Sequence, residues 1–559
     1  MAKLSKPKAN RKLEFWGISK IVIFLIFGVF LIYPFLSLFF RSFLNGENKL
    51  SLDNFKTFFT YKYYYETLFR SLKVAVITTI SAVVIGVPLA YITTRYNVWG
   101  KRIVNVMIVM SLMSPPFIGA YSWIMLLGRN GSVTNFLTKL GLNVPSIYGF
   151  TGIILVFTLK LYPYVYLYVK GALEGIDGSL EEAAENLGMS KWRRIMTVTF
   201  PVILPTIAAG AVMVFMSSLA DFGTPMLIGE GYKVLPVLVY EEYMSEMGGN
   251  AGLASALSII MVACSLAVLI YQKRVIDKKQ YNMSGLRPPK VEQLSGMPRF
   301  LLTALTFIIA GITFLPQIVV IYTSFLKTRG PIFAGGYSLD SYRTIFYKLG
   351  SNIKNTFVFS SVAIVFIIII GIIISYQITK RRSKSSDALD LLVMFPYVIP
   401  GAVLGIGLVM AFKQGIFNTG ILTLIGTPTI LVIAYVIRKM PYTVRSSSAI
   451  LMQIDQSVEE ASISLGVSPM KSFFTVTARL MLPGIVSGAI LSWISTINEL
   501  SSSIMLYSGK TATISVAIYT EVVRASFGTA AALASILTVA TILSFIVFSI
   551  VSKGKVSVV

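Results

Sequence analysis

Four ionisable side chains stand inside apolar stretches, where a charge is costly and therefore informative. Asp221 lies in SSLADFGTP and Glu499 in STINELSSS, 278 residues apart. Lys160 and Arg438 are separated by the same 278 residues, and each shortly precedes a Pro-Tyr pair, Pro163-Tyr164 and Pro441-Tyr442. An acid so placed either faces a polar pathway or is pinned by a Lys, Arg or Tyr on a neighbouring helix. The two cations either lie towards the cytosolic end of their helices or pair with the acids. The Asp-Phe-Gly-Thr-Pro segment at 221–225 is expected to break a helix, and backbone freed at membrane depth should face a cavity.

Several other chemistries are excluded. The chain has no histidine, so neither His-ligated metal nor His-based acid–base catalysis is available. Its single cysteine, Cys264, sits in an apolar run and permits no disulfide within the chain. A metal would meet oxygen ligands or pass without strong coordination; Asp221 and Glu499 are the candidate transient ligands. The segment Ser508-Gly509-Lys510-Thr511 is similar to the end of a phosphate-binding loop, but position 504 is Ile where a glycine is required, and no strand precedes it. No catalytic residue and no cofactor are expected in this chain. The aromatic residues fit interface belts and packing, and none is assigned to a site.

Composition sets the medium. Of 559 residues 55% are hydrophobic and 13% charged, against about 25% charged in soluble domains. The balance of 49 basic and 24 acidic residues gives a net +25. The basic residues lie in short loops between apolar runs, so they report membrane orientation rather than a nucleic-acid partner.

A basic N-terminus covers 1–19, followed by apolar runs at approximately 20–40, 68–94, 103–127, 147–173, 201–229 and 251–271. Each is long enough to span a bilayer. No cleavage site follows the first run, which is expected to be retained. The polar stretch 272–298 is the clearest boundary, and a second set runs at approximately 299–325, 354–379, 388–412, 420–447, 483–508 and 528–551, before a tail at 552–559. The expected fold is therefore an all-α membrane protein. It has twelve transmembrane helices in two six-helix halves, 20–271 and 299–551, with a cytosolic linker between them. Arg95, Lys101 and Arg102, with Lys380, Arg381, Arg382 and Lys384, mark one side as cytosolic, together with both termini. Glu230, Glu241, Glu242 and Glu246 against the lone Lys233 place loop 230–250 outside. An even number of spans per half relates the halves by a pseudo-two-fold axis along the membrane normal.

One polar element recurs on the cytosolic side. GIDGSLEEAAENLGMSKWRRIMTVTFPVILP at 175–205 aligns without a gap with QIDQSVEEASISLGVSPMKSFFTVTARLMLP at 453–483. Each copy reads as a short capped helix, a break and a second helix. Ser179 with Glu182, and Ser457 with Glu460, fit a capping box. Gly188 and Gly466 stand where a left-handed residue ends a helix. Ser190 and Ser468 can cap the next helix, with Pro469 at its first position. Leu180, Ala183, Ala184 and Leu187 share one helical face, and a small apolar stripe of this kind suits close docking into another protein.

The spacing Glu182-Ala183-Ala184, Gly188, Leu204-Pro205, repeated as Glu460-Ala461-Ser462, Gly466, Leu482-Pro483, resembles the EAA loop of ABC importer permeases. Ser462 departs from the second alanine of that pattern. The fused two-copy arrangement resembles the ferric-iron importer permeases, with thiamine and phosphonate permeases as relatives. The resemblance implies a permease without enzymatic activity in a bacterial or archaeal cell membrane. It implies docking of two copies of an ABC ATPase, which carry the ATP and Mg, onto Glu181, Glu182, Ala183, Ala184 and Gly188 and onto Glu459, Glu460, Ala461, Ser462 and Gly466. It further implies an external substrate-binding protein, surrounding membrane lipid, and a pathway lined by the helices that carry Asp221 and Glu499. An ion-coupled carrier would explain the spans and the buried acids but not the duplicated capped helix.

Ferric iron is the expected substrate, with thiamine, a polyamine or a phosphonate as alternatives. Two symmetric carboxylates would attract a cation: at an effective dielectric of about 20, unit charges 4 Å apart interact by roughly 4 kcal/mol. That argument requires that Lys160 and Arg438 do not already neutralise them.

Overall fold

A computed structural model describes residues 15–551 apart from 116, 144, 246–248, 276–289 and 331. Residues 1–14 of the basic N-terminus, Glu246, most of the linker and the C-terminal tail lie outside the described residues. The first half contains α1 (Phe15–Ser42), α2 (Lys62–Arg95), α3 (Lys101–Leu112), α4 (Ile118–Leu127), α5 (Phe150–Gly175), α6 (Gly178–Asn186), α7 (Lys191–Ala220), α8 (Gly223–Ile228), α9 (Leu235–Met244) and α10 (Ala251–Val275). The second contains α11 (Gly296–Ser324), α12 (Asp340–Thr379), α13 (Lys384–Val398), α14 (Gly401–Phe412), α15 (Pro428–Gln453), α16 (Gln456–Ser464), α17 (Pro469–Leu480), α18 (Leu482–Ile497), α19 (Ser503–Leu506), α20 (Ile514–Val523) and α21 (Phe527–Val551).

Among the described residues, eight helices are long and apolar enough to cross a membrane, or ten if each sharply bent pair counts as one span. The expected count of twelve is not reached by this measure, for two reasons. The run at 103–127 is two helices, interrupted at Met113–Phe117 by Pro115 and by a left-handed Phe117 (φ +67°). The helix α15 is long enough but carries Arg438, Lys439 and Arg445. The fifth run of each half is broken, in the first half at the expected Asp-Phe-Gly-Thr-Pro segment: α7 stops at Ala220 and α18 at Ile497, each followed by a short helix. An antiparallel hairpin, Leu326–Arg329 with Ile332–Tyr337, follows α11; its turn carries Gly330, and left-handed Gly335 and Gly336 distort the second strand.

Each half is built on three helices that approach closely. In the first, α2 and α7 both pack on α5; in the second, α12 and α18 both pack on α15. Glycines make this possible, as small residues do between membrane helices. A Cβ on Gly86 of α2 would lie 2.9 Å from Val165 Cβ, and one on Gly210 of α7 would lie 3.1 Å from Val165 Cα. Their counterparts Gly371 and Gly488 close on Thr443, the residue that aligns with Val165, at 3.3 and 2.5 Å. One backbone position of the central helix is thus clamped by two glycines in each half.

The halves exchange their first helices. The helix α1 packs on α10 of its own half and on α14 of the other; α11 packs on α21 of its own half and on α3 and α4 of the other. The end of the linker adds a strap: Glu292 N–H donates to Arg95 O at 2.8 Å, and its carboxylate meets Lys191 at 2.5 Å.

Replacing Gly488 by Leu should overpack the α15–α18 contact and cost roughly 1–3 kcal/mol. It should lower the midpoint of thermal unfolding in detergent, whereas Gly311→Leu, where nothing lies within 4 Å of the added Cβ, should leave it in place. Equal midpoints for the two variants would refute the glycine clamp.

Candidate functional site: a charged, tyrosine-lined gap and two protruding helices

The two acids sit where their helices break. The Asp221 carboxylate accepts the Thr224 N–H at 3.1 Å, capping α8, and its other oxygen meets Lys160 Nζ at 2.9 Å. Glu499 repeats the arrangement: it accepts the Ser502 N–H and hydroxyl, both at 3.1 Å, next to α19. It also pairs with Arg438, and with Lys439 Nζ at 2.5 Å. Each acid is thus paired with a cation of the neighbouring helix, Lys160 with Asp221 and Arg438 with Glu499. Lys439, absent from the sequence-based candidates, is the third member. Its only signal was a second cation beside Arg438 in an apolar run.

The two sites differ in burial and balance. Lys160 and Asp221 side chains are 24% and 21% exposed, while Lys439 and Glu499 are 8% and 4% exposed. The first pair is neutral; the second cluster holds two cations against one acid. Neither Asp221 nor Glu499 is a free carboxylate, so the electrostatic argument for a cationic substrate loses its premise.

The same helices carry a stripe that the sequence reading passed over. Lys160, Tyr164 and Tyr168 on α5 follow one another at i, i+4, i+8 and are half-buried, the two tyrosines between fully buried neighbours. Arg438, Tyr442 and Ser446 on α15 repeat the pattern at the aligned positions. The Tyr397 and Tyr442 ring centroids are 5.4 Å apart. The two stripes thus occupy the same face of the central helix in each half. The duplicated Pro-Tyr pair carried this signal in the sequence.

Beside Lys160 a small cleft is lined by Ser111, Ser114, Thr224, Thr313 and Gln317, among others. Gln317 is 3% exposed and donates to Met110 O at 3.1 Å, but its Oε1 has no partner among the described residues, nor has Ser114 Oγ. Unpaired acceptors of this kind suit ordered water rather than a dry void.

The repeated polar elements form protruding helices, α6 and α16. Their caps differ from the expected boxes: Asp177 and Asp455 are the N-caps, accepting the N–H groups of Ser179 at 2.9 Å and Ser457 at 2.8 Å. An Asp two residues earlier serves as acceptor at a helix start, where its charge also complements the dipole. The bonds from Ser457 hold the Asp455 carboxyl below its ordinary range. The C-termini close as expected. Gly188 (φ +76°) and Gly466 (φ +88°) are left-handed. Met189 N–H reaches Ala184 O at 3.1 Å, and Val467 N–H reaches Ser462 O at 3.2 Å, the paired bonds of a Schellman ending. Ser190 and Ser468 stand at the next N-caps without a hydroxyl bond, and Pro469 takes the first position of α17.

The expected apolar stripe is divided. Nine residues wrap more than two turns, so one side must hold the helix to its own chain. Ala184 is buried and Leu180 half-buried on that side, while Glu182, Ala183, Glu460 and Ala461 are exposed. Leu187 and Leu465 project, 78% and 85% exposed. The first glutamate of each pair turns inward. Glu181 meets buried Arg95 at 2.8 Å and accepts from Thr199 at 2.9 Å; Glu459 accepts from Tyr376 at 2.5 Å and Thr477 at 3.3 Å. Both threonines end a π-turn, Ile195–Thr199 and Phe473–Thr477.

Duplicated broken helices around a polar seam, each half bearing one capped helix outside the bundle, define a two-lobed membrane permease. The family of binding-protein-dependent transport system inner membrane components matches residues 82–280 and again 367–556, and the chain belongs to it, with two copies fused. A putative ferric transport system permease of Haemophilus influenzae is 27% identical over 523 residues, 91% of this chain and 80% of its own length. A ferric transport system permease of Actinobacillus pleuropneumoniae is 27% identical over 528 residues, covering 93% and 75%. A molybdenum transport system permease of Haemophilus influenzae is 35% identical over 156 residues, 27% of this chain and 66% of its own. The chain is thus a multi-pass inner-membrane permease subunit rather than an enzyme.

Glu499→Gln should leave Arg438 and Lys439 buried without compensation and cost about 3–5 kcal/mol, read as a lowered unfolding midpoint. Adding Lys439→Met should restore part of the loss. Asp221→Asn, at the more exposed pair, should be the milder change; a larger shift there than at Glu499 would contradict this account.

Proposed function

We propose that this chain is the transmembrane subunit of an ATP-driven importer that moves ferric iron, delivered by an external binding protein. The observation that carries the reading is the likeness to ferric transport permeases across about nine-tenths of the chain, joined to two equivalent protruding helices. Each helix offers an exposed Glu-Ala pair and a bare leucine to an ATPase subunit, one copy per half. ATP and Mg bind on those partners. Closure of the ATPase pair draws α6 and α16 together. Glu181 and Glu459 transmit the displacement to α2 and α12, and the halves rock about the seam. Both termini and the protruding helices face the cytoplasm, and loop 230–250 faces outward.

An oxyanion is the second reading. It is favoured by the excess cation in the Arg438–Lys439–Glu499 cluster and by the partial likeness to a molybdenum permease. Cells carrying the complete transporter should take up radiolabelled ferric iron and not molybdate. Molybdate uptake without iron uptake would reverse the assignment.

Gly188→Val with Gly466→Val should uncouple ATP hydrolysis from uptake, because both positions are left-handed and a β-branched residue there is a genuine outlier. Full transport by that variant would end the docking argument. In a Cys264→Ser background, an external maleimide should modify Ser245→Cys but not Ser464→Cys; the opposite labelling would invert the topology.

A further inference from the structure

We propose that each half clasps the root of the other half's protruding helix, so that α6 and α16 move as one; the inference rests on the reading of these helices as ATPase-docking elements. The clasp is the stretch that opens the exchanged first helix. On the second lobe it is the start of α1. Trp16, 5% exposed, stacks on Tyr376 with ring centroids 4.4 Å apart and stands edge-on to Phe473 at 4.9 Å. The Arg381 guanidinium lies 5.2 Å from the Trp16 ring. Gln377 donates to Ser19 Oγ at 2.9 Å, and Lys20 Nζ donates to the hydroxyls of Ser383, Ser385 and Ser386 at 3.2, 3.1 and 3.0 Å. On the first lobe it is the stretch leading into α11. Besides the Glu292 strap, Leu294 N–H donates to Asn97 Oδ1 at 2.8 Å, and Asn97 Nδ2 donates to Leu294 O at 3.1 Å. Arg299 donates to Asn97 O at 2.8 Å and lies 4.8 Å from the Trp99 ring.

These side chains forgo their ordinary surroundings. Tryptophan and lysine at the end of a membrane helix usually turn to the lipid headgroups. Trp16 and Lys20 turn to the opposite half instead. In both lobes the clasp grips the residue that holds the inward glutamate. Trp16 stacks on Tyr376, which donates to Glu459 at 2.5 Å; Glu292 bonds the backbone of Arg95, whose side chain meets Glu181 at 2.8 Å. Each clasp also reaches the segment after the protruding helix, at Phe473 and at Lys191. A displaced protruding helix therefore carries with it the first helix of the other half, through an aromatic stack in one lobe and polar bonds in the other. Neither lobe answers its ATPase subunit alone. Trp16 and Glu292 are positioning residues that act through Tyr376 and Arg95.

The test uses the complete transporter in nanodiscs, in a Cys264→Ser background with spin labels on Thr197→Cys and Thr475→Cys, exposed positions aligned between the halves. Pulsed dipolar spectroscopy should give one narrow interlabel distance without nucleotide and one shorter distance with ATP and vanadate. In Trp16→Ala the shorter distance should fall to a minority of the ATP–vanadate trace, with a second, longer population beside it. Trp16→Phe should restore the single population, and Ile18→Ala, at an exposed site of the same helix, should not disturb it. If Trp16→Ala fails to assemble, Glu292→Lys asks the same question on the first lobe, with Lys191→Glu as its rescue. A single narrow population in the assembled clasp variants overturns the clasp and leaves the docking reading standing. No nucleotide-dependent shift in the unmodified transporter overturns both.

Discussion

A carboxylate placed at a helix break inside the membrane has two obligations at once, and the rest of the permease is arranged around them. The break releases backbone N–H groups that lipid cannot satisfy. The carboxylate accepts one of them, at Thr224 and again at Ser502. Its charge must then be met by a cation from the neighbouring helix, at Lys160 and Arg438. The pair therefore fixes the end of one helix against the middle of another. It does so within one turn of the proline that sits inside the partner helix, Pro163 or Pro441. Removing either charge would reopen both problems. This is why a costly arrangement recurs at the same spacing in both halves while the surrounding apolar residues vary.

The pinning works only if the helices come close, and the glycines set that distance. Gly86 and Gly210 bracket Val165, and Gly371 and Gly488 bracket Thr443. In lipid, apolar burial gives helices little reason to associate, so close backbone approach and polar bonds must provide it. Each central helix is consequently held along three sides. One face remains, and it is the tyrosine-bearing stripe. The exchange of α1 and α11 between halves closes the outside of the bundle without filling the seam between the lobes. Rigid lobes with a soft boundary are what a rocking permease needs.

Much of this was legible in the sequence, because a duplication exposes function that a single copy hides. The constant spacing of Asp221 with Glu499, and of Gly188 with Gly466, identified the break residues and the helix endings before any coordinates. Two kinds of information were not legible. The direction of a side chain around a short helix depends on what it packs against. Ala184 therefore turned inward while Ala183 stayed free, and the caps fell on Asp177 and Asp455 rather than on the serines. Partner choice among buried charges is a tertiary matter as well. Composition could place Lys160 near the right depth, but only the packing of α5 on α7 brings it to Asp221. Local periodicity also overstated continuity in the third run, joining helices that Pro115 divides.

The coupling path has a physical character of its own. A nine-residue helix is marginal alone, so α6 and α16 would not transmit a displacement unless anchored. Their inward glutamates provide the anchor, but through different chemistry in each half. Glu181 uses Arg95, whereas Glu459 uses Tyr376, one turn earlier along the corresponding helix. Lys380 occupies the position equivalent to Arg95 and donates instead to Ile454 O at 2.6 Å. A charge-assisted bond to buried Arg95 is the stiffer attachment, and the linker strap at Glu292 reinforces the same corner. The two lobes are alike in fold but unequal in how firmly each is tied to its protruding helix. A fused chain is free to evolve such asymmetry, because its halves are never required to exchange places.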